Sequence, residues 1–150
     1  MTSKLLREEI LREAVRRIET EDVPCVFVRD GIIMKNGTGT GVRPLIDAWE
    51  EEPELLRGTV IVDKIVGKAA AMLAVLGGAA GVCGLTMSAA ARDYLSVHGI
   101  PAEYGTLTER IINRTGTGLC PMETAVLNID DPEEGCAALK DTMARLAGRH

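Results

Sequence analysis

Two short glycine-bearing segments of the 150-residue chain share one pattern. Asn36-Gly37-Thr38-Gly39-Thr40-Gly41-Val42-Arg43-Pro44 and Asn113-Arg114-Thr115-Gly116-Thr117-Gly118-Leu119-Cys120-Pro121 both read N-x-T-G-T-G-aliphatic-x-P. Glycine lets the backbone turn its N–H groups toward a bound group. Proline fits the first turn of a helix, whose N-terminus adds partial positive charge. Gly37, Gly39, Gly41 and Arg43 on one copy, with Asn113, Arg114, Gly116 and Gly118 on the other, could form a paired cradle for phosphate or carboxylate. The plain alternative is that glycine loops before helices are common and the echo is coincidence. Neither copy is a P-loop, because no Gly-Lys-Ser/Thr closes it, and neither has the spacing or strand context of a dinucleotide fingerprint.

Cys120 stands just before Pro121, at an expected helix N-cap, where the helix dipole favours a thiolate and makes the sulfur nucleophilic. Glu123, three residues on, opposes that charge if its carboxylate folds back. It could also shuttle a proton, or simply cap backbone N–H groups. A second cluster is Asp63-Lys64-Ile65-Val66-Gly67-Lys68. With Asp63 capping a helix from Lys64 to about Leu76, Lys64 and Lys68 would share one face near its N-terminus. There they could hold an anion, or a desolvated lysine could act as a base or amine nucleophile. The structural alternative is a pair of solvated lysines, with Gly67 allowing close packing. Ser88 reads as the cap of the next helix. Cys25, Cys83 and Cys136 lie in apolar settings and read as core. His98, at a helix C-terminus, and His150, the final residue, do not make a metal centre, and no cofactor is expected.

The rest of the composition narrows the function classes. The chain is 46% hydrophobic but only 3% aromatic, so its core is aliphatic and offers little surface for stacking bases. Seventeen Lys and Arg against 22 Asp and Glu give a net charge of −5, which argues against a polyanion partner while leaving room for one small anion. The four cysteines form no C-x-x-C pair and no signal peptide opens the sequence, so free thiols in the cytoplasm are expected. The longest apolar stretch, Ala69–Leu85, carries Gly77, Gly78, Gly81 and Gly84, and suits a buried helix and strand better than a membrane span. A homo-oligomer is compatible with all of this.

The elements that must position these residues follow from periodicity and punctuation. Leu5, Leu6, Ile10, Leu11, Val15 and Ile18 recur at helical spacing. Cys25–Val28 and Ile32–Lys35 read as strands joined at Asp30-Gly31. An acidic helix follows Arg43-Pro44 until Pro53. Thr59–Val62, Ala80–Met87 and Ala102–Leu107 read as strands separated by helices, and Gly77-Gly78 and Gly99 stop those helices. Thr108–Arg114 is ambiguous. The segment from Cys120 to Ile129 reads as short helix then strand, and Asp130–Pro132 opens a terminal helix to about Ala147. The expected architecture is a single α/β domain, a three-layer α/β/α sandwich whose mixed sheet begins with a hairpin and continues mostly parallel.

The run Asp63–Ala71, the pair Asn113-Arg114, Cys120-Pro121-Met122-Glu123 and Gly41-Val42-Arg43-Pro44-Leu45 resemble a prokaryotic family of uncharacterised proteins. The resemblance covers most of the chain and implies a cytidine-deaminase-like fold more than an activity. Zinc deaminases open the corresponding two helices with H-x-E and P-C-x-x-C. Here Asp63–Lys68 and Met87–Ala91 carry no His, Glu or Cys, so zinc-activated water attack is not expected. The resemblance implies a pocket between the two helix N-termini, with Asp63, Lys64 and Lys68 on one side, Ser88 on the other, and Cys120 entering on its loop. The expected function is binding of a small anionic ligand, a nucleotide or related metabolite, with Cys120-dependent catalysis, partnered by Lys68 or Asp63, as an extension. The competing expectation is a non-catalytic regulatory or protein-interaction module that uses Asp47–Glu52, with Trp49 as its anchor.

Overall fold

A two-residue turn starts the sheet. Asp30 and Gly31 both take positive φ, 53° and 73°, as the favoured hairpin turn requires. They join β1 (Cys25–Arg29) to β2 (Ile32–Asn36) in antiparallel register. The computed structural model describes residues 8–112, 116 and 118–148. In it β1 pairs antiparallel on its other edge with β3 (Val60–Val66), and β3, β4 (Gly81–Ser88) and β5 (Ala102–Thr108) run parallel. The sheet is open and mixed, in the order β2-β1-β3-β4-β5. Seven helices are described: α1 (Glu9–Thr20), α2 (Arg43–Glu51), α3 (Pro53–Leu56), α4 (Lys68–Gly77), α5 (Ala89–Val97), α6 (Pro121–Ala125) and α7 (Pro132–Ala147).

Alternation along β1 divides the core between the two faces of the sheet. Cys25 and Phe27 join a large cluster with residues of α2, α4, α5 and α7, such as Leu45, Leu73, Leu95 and Leu139. Val26 and Val28 point the other way and pack with Leu11, Ala14 and Ile18 of α1. Helices therefore flank the sheet on both sides. On the crowded side, Ala69, Ala70, Ala71 and Ala74 of α4 are buried, because their small side chains let the helix sit against its neighbours all round. Trp49 of α2 is half-buried against this cluster.

Two boundaries differ from the sequence expectation. β3 does not stop at Val62 but continues to Val66, with Ile65 and Val66 opposite Thr86 and Met87 of β4. Asp63 and Lys64 are thus strand residues, Asp63 caps no helix, and α4 begins only at Lys68 with Gly67 at its N-cap. The β-branched pair Ile65-Val66 favours the extended ladder, and Val66 gains full burial by continuing it. Residues 126–129 form a turn after α6 rather than a strand. Other expectations hold: Ser88 accepts from the N–H of Ala91 at 3.1 Å, and Asp131 caps α7 by accepting from Glu134. The apolar stretch 69–85 divides between α4 and β4, and no helix among the described residues is long and apolar enough to cross a membrane.

Candidate functional site

The loop between β2 and α2 depends on glycine at two points. Gly39 and Gly41 take φ of 101° and 60°, a region in which other side chains are strained. This bends the chain so that Gly39, Thr40, Gly41 and Arg43 form one wall of a cleft of about 1110 Å³. The floor comes from the far end of β3, where Asp63, Lys64 and Ile65 lie at the carboxyl end of a parallel strand, the usual place for ligands in open α/β sheets. The opposite wall is Ile111, Ile112 and the Cys120–Glu123 segment, and Met143, Leu146 and Ala147 of α7 complete it.

The polar groups of this cleft are few and distinct. Asp63 is only 6% exposed. Burial pushes its carboxyl up to about 7, while N–H donors from Ile65 and Lys64 hold it down in part. Burial, and after it the neighbouring Asp63, raises the thiol of Cys25, and the two residues are direct partners across β1 and β3. Arg43 and Lys64 supply positive charge at exposed positions, and Arg43 keeps only a loose ion pair with Asp47 at 3.9 Å. Cys120 is half-buried at the N-cap of α6, as expected, and lines the cleft.

Glu123 is 9% exposed and its carboxylate is already engaged. One oxygen accepts from the N–H of Lys68 at 2.8 Å and the other from the N–H of Ala69 at 2.9 Å. It therefore caps α4, a helix 55 residues away, and supplies the negative charge that the helix N-terminus favours. Gly67 permits this: a Cβ there would sit 2.5 Å from the carboxylate. The helix N-terminus expected to receive an external anion is filled by the protein itself.

The remaining expected site residues lie elsewhere. Lys68 does not share a face with Lys64; its side chain, 13% exposed, reaches the carbonyl of Leu127 at 3.3 Å and Asp130 at 3.7 Å, with its ammonium 6.0 Å from the centre of the Tyr94 ring. Ser88 is buried beneath α5, outside the cleft. Gly37 is pressed against Cys25 and Pro44 instead of facing a ligand. Gly116 and Gly118 do not line the cleft, and Asn113 and Arg114 fall outside the described residues. So one glycine loop borders the cleft with its glycines, while among the described residues its echo borders it through Cys120 and Pro121, next to Ile112. Sequence reasoning missed the apolar wall of Met122, Met143 and Leu146, which resembles any core-facing helix pattern until α6 and α7 are docked.

Residues 13–143 match the family described as TM1506, a domain of unknown function designated DUF1893, and the chain belongs to that family. The crystal structure of a DUF1893 family protein, TM1506 from Thermotoga maritima, is similar with a TM-score of 0.78 over 92% of this chain and 90% of that one. Sequence identity between the two is 23%, so the likeness concerns the fold. No curated protein matches the chain.

Proposed function

We propose that this member of the DUF1893 family is a zinc-free, cytidine-deaminase-like protein that binds a small anionic ligand, of the size and charge of a nucleotide, in the cleft between β3 and the 39–43 loop. The observation that carries the reading is the convergence of Arg43, Lys64 and a glycine-bent loop on one cleft of about 1110 Å³ whose remaining walls are largely apolar. Such a pocket buries the body of a ligand and uses a few polar groups to fix its orientation. The element order of helix, hairpin, helix, strand, helix, strand supports the deaminase-like assignment, and α4 and α5 open with Gly67-Lys68 and Ser88-Ala89, which are not zinc ligands.

The anion in this reading meets Arg43 and Lys64, not the N-terminus of α4, because Glu123 occupies that terminus. Catalysis by Cys120 is the extension of the same reading, with Asp63 as the acid or base lining the same cleft. Lys68 has no part in it. The interaction-module alternative gains little from Trp49, which packs half-buried against the core.

The test is calorimetric titration with AMP, CMP, GMP and UMP, each compared with its nucleoside. Binding of at least one monophosphate, with its nucleoside at least tenfold weaker and about tenfold losses in Arg43→Ala and Lys64→Ala, is the expected result. Failure of all four to bind, or indifference to both substitutions, would sink the proposal.

A further inference from the structure

Asp63 is the one buried carboxyl of the cleft that no cation or helix terminus neutralises among the described residues. Glu123 is spent on α4, and Asp22 stands at the outer margin, where it is exposed. Cys25 of β1 is paired with Asp63, and the other polar or charged groups sharing its part of the cleft are Lys64 from its own strand, Arg43 from α2, and Cys120 and Glu123 from the α6 segment. Lys64 and Arg43 are exposed, the buried Glu123 carboxylate is held by the N-terminus of α4, and the other buried groups are apolar or, like Cys25, uncharged.

From this placement we infer that Asp63 is the specificity-determining group of the cleft, taking a planar, uncharged ligand group that presents a hydrogen-bond donor beside an acceptor, such as the edge of a lactam, an amide or an aminated heterocycle. The inference rests on the anion-binding reading above and adds the other end of the ligand. A carboxyl that keeps its proton offers one O–H donor and an adjacent acceptor, which matches such an edge with two bonds. An ionised carboxylate offers acceptors only and meets the edge's acceptor with repulsion. Burial that lifts the group to about 7 keeps that proton in place on the acid side of neutrality and releases it as pH rises past 7. The place of Asp63 inside the sheet, between Cys25 of β1 and Gly84 of β4, fixes where its carboxyl enters the cleft.

This predicts a pH signature that a merely structural carboxyl lacks. The probes are uridine 5′-monophosphate, whose base carries N–H beside C=O, and ribose 5-phosphate, which has the same anionic group and no such edge. Their affinity ratio cancels the titration of the phosphate. In the native protein the ratio falls roughly 25-fold between pH 6.5 and pH 8.5, the loss expected when a group of pKa about 7 must be protonated to bind. Asp63→Asn, whose carboxamide reproduces the donor and acceptor, keeps the ratio at pH 8.5; Asp63→Ala loses it at both pH values. A ratio unchanged with pH in the native protein, or an Asn variant as poor as the Ala variant, overturns the inference while Arg43-dependent binding of both probes leaves the anion reading intact. Absence of binding by both probes overturns the inference, and the anion reading falls with it when AMP, CMP and GMP also fail to bind or when binding ignores both Arg43→Ala and Lys64→Ala. The native pH profile needs no variant to fold.

Discussion

Replacing Asp63 by Asn should change how the stability of the protein depends on pH. The carboxyl moves from its ordinary 3.8 to about 7 on folding because it is buried. A group whose folded pKa is raised favours folding in its protonated state. Its contribution is intact below the unfolded value and is lost as pH rises, until the folded value is passed. At about 1.4 kcal/mol for each tenfold change in proton affinity, the full loss is on the order of 4 kcal/mol. About 3 kcal/mol of it falls between pH 5 and pH 8. Urea unfolding of the native protein and Asp63→Asn at these two pH values isolates the effect, since every other titrating group is common to both. The difference in unfolding free energy should move in favour of Asn by about 3 kcal/mol on going to pH 8. Parallel pH profiles would show that Asp63 is ionised at little cost in the folded protein, and the argument from its burial would fail.

Glu123→Ala should lower stability by about 2 kcal/mol, and Glu123→Gln by about half as much, because the amide keeps one acceptor for the helix terminus but not the charge; chemical denaturation measures both. Gly67→Ala should cost about 1–3 kcal/mol by displacing that carboxylate, yet only a few tenths in the Glu123→Ala background, and additive losses in the double variant would contradict the contact. Lys68→Met should cost about 1 kcal/mol and leave UMP affinity within twofold, since the lysine serves the 127–130 turn and not the cleft; a tenfold loss would place it back among the binding residues. In alkylation followed by mass spectrometry, Cys120 should react first, while buried Cys25, Cys83 and Cys136 react only with opening of the fold.

Much of the fold was legible because its signals are local. Asp30-Gly31 fixes the hairpin, Ser88 and Asp131 cap the helices that follow them, and Gly78 and Gly99 end helices at positive φ. The β3–α4 boundary was not legible. Asp63-Lys64 has the form of a helix cap, and only pairing of Ile65 and Val66 with β4 decides for the strand. The site divides in the same way. Arg43, Gly39 and Gly41 line the cleft from their own loop, and their grouping could be found from spacing. Asp63, Lys64, Cys120 and Glu123 were singled out for reasons tied to nearby residues, but what they do depends on distant ones. Glu123 caps, as its residue type suggests, though on a helix that no local pattern connects to it. Lys68 illustrates the converse, a residue that looked reactive beside Lys64 and was drawn away by the turn around Asp130.

The carboxylate of Glu123 on α4 also gives the cleft a built-in reporter. The amide protons of Lys68 and Ala69 belong to one end of a buried helix, but the oxygens that protect them belong to the far wall of the cleft. Their exchange with solvent deuterium therefore requires only that this wall lift, not that α4 unwind or the sheet come apart. The interior amides of α4, bonded within the helix, record the rarer event of global unfolding. The slowing of these two exchanges against an unprotected amide measures, in a single protein and without any bound molecule, how often this wall lifts, and the slower interior amides of α4 show that the event is local.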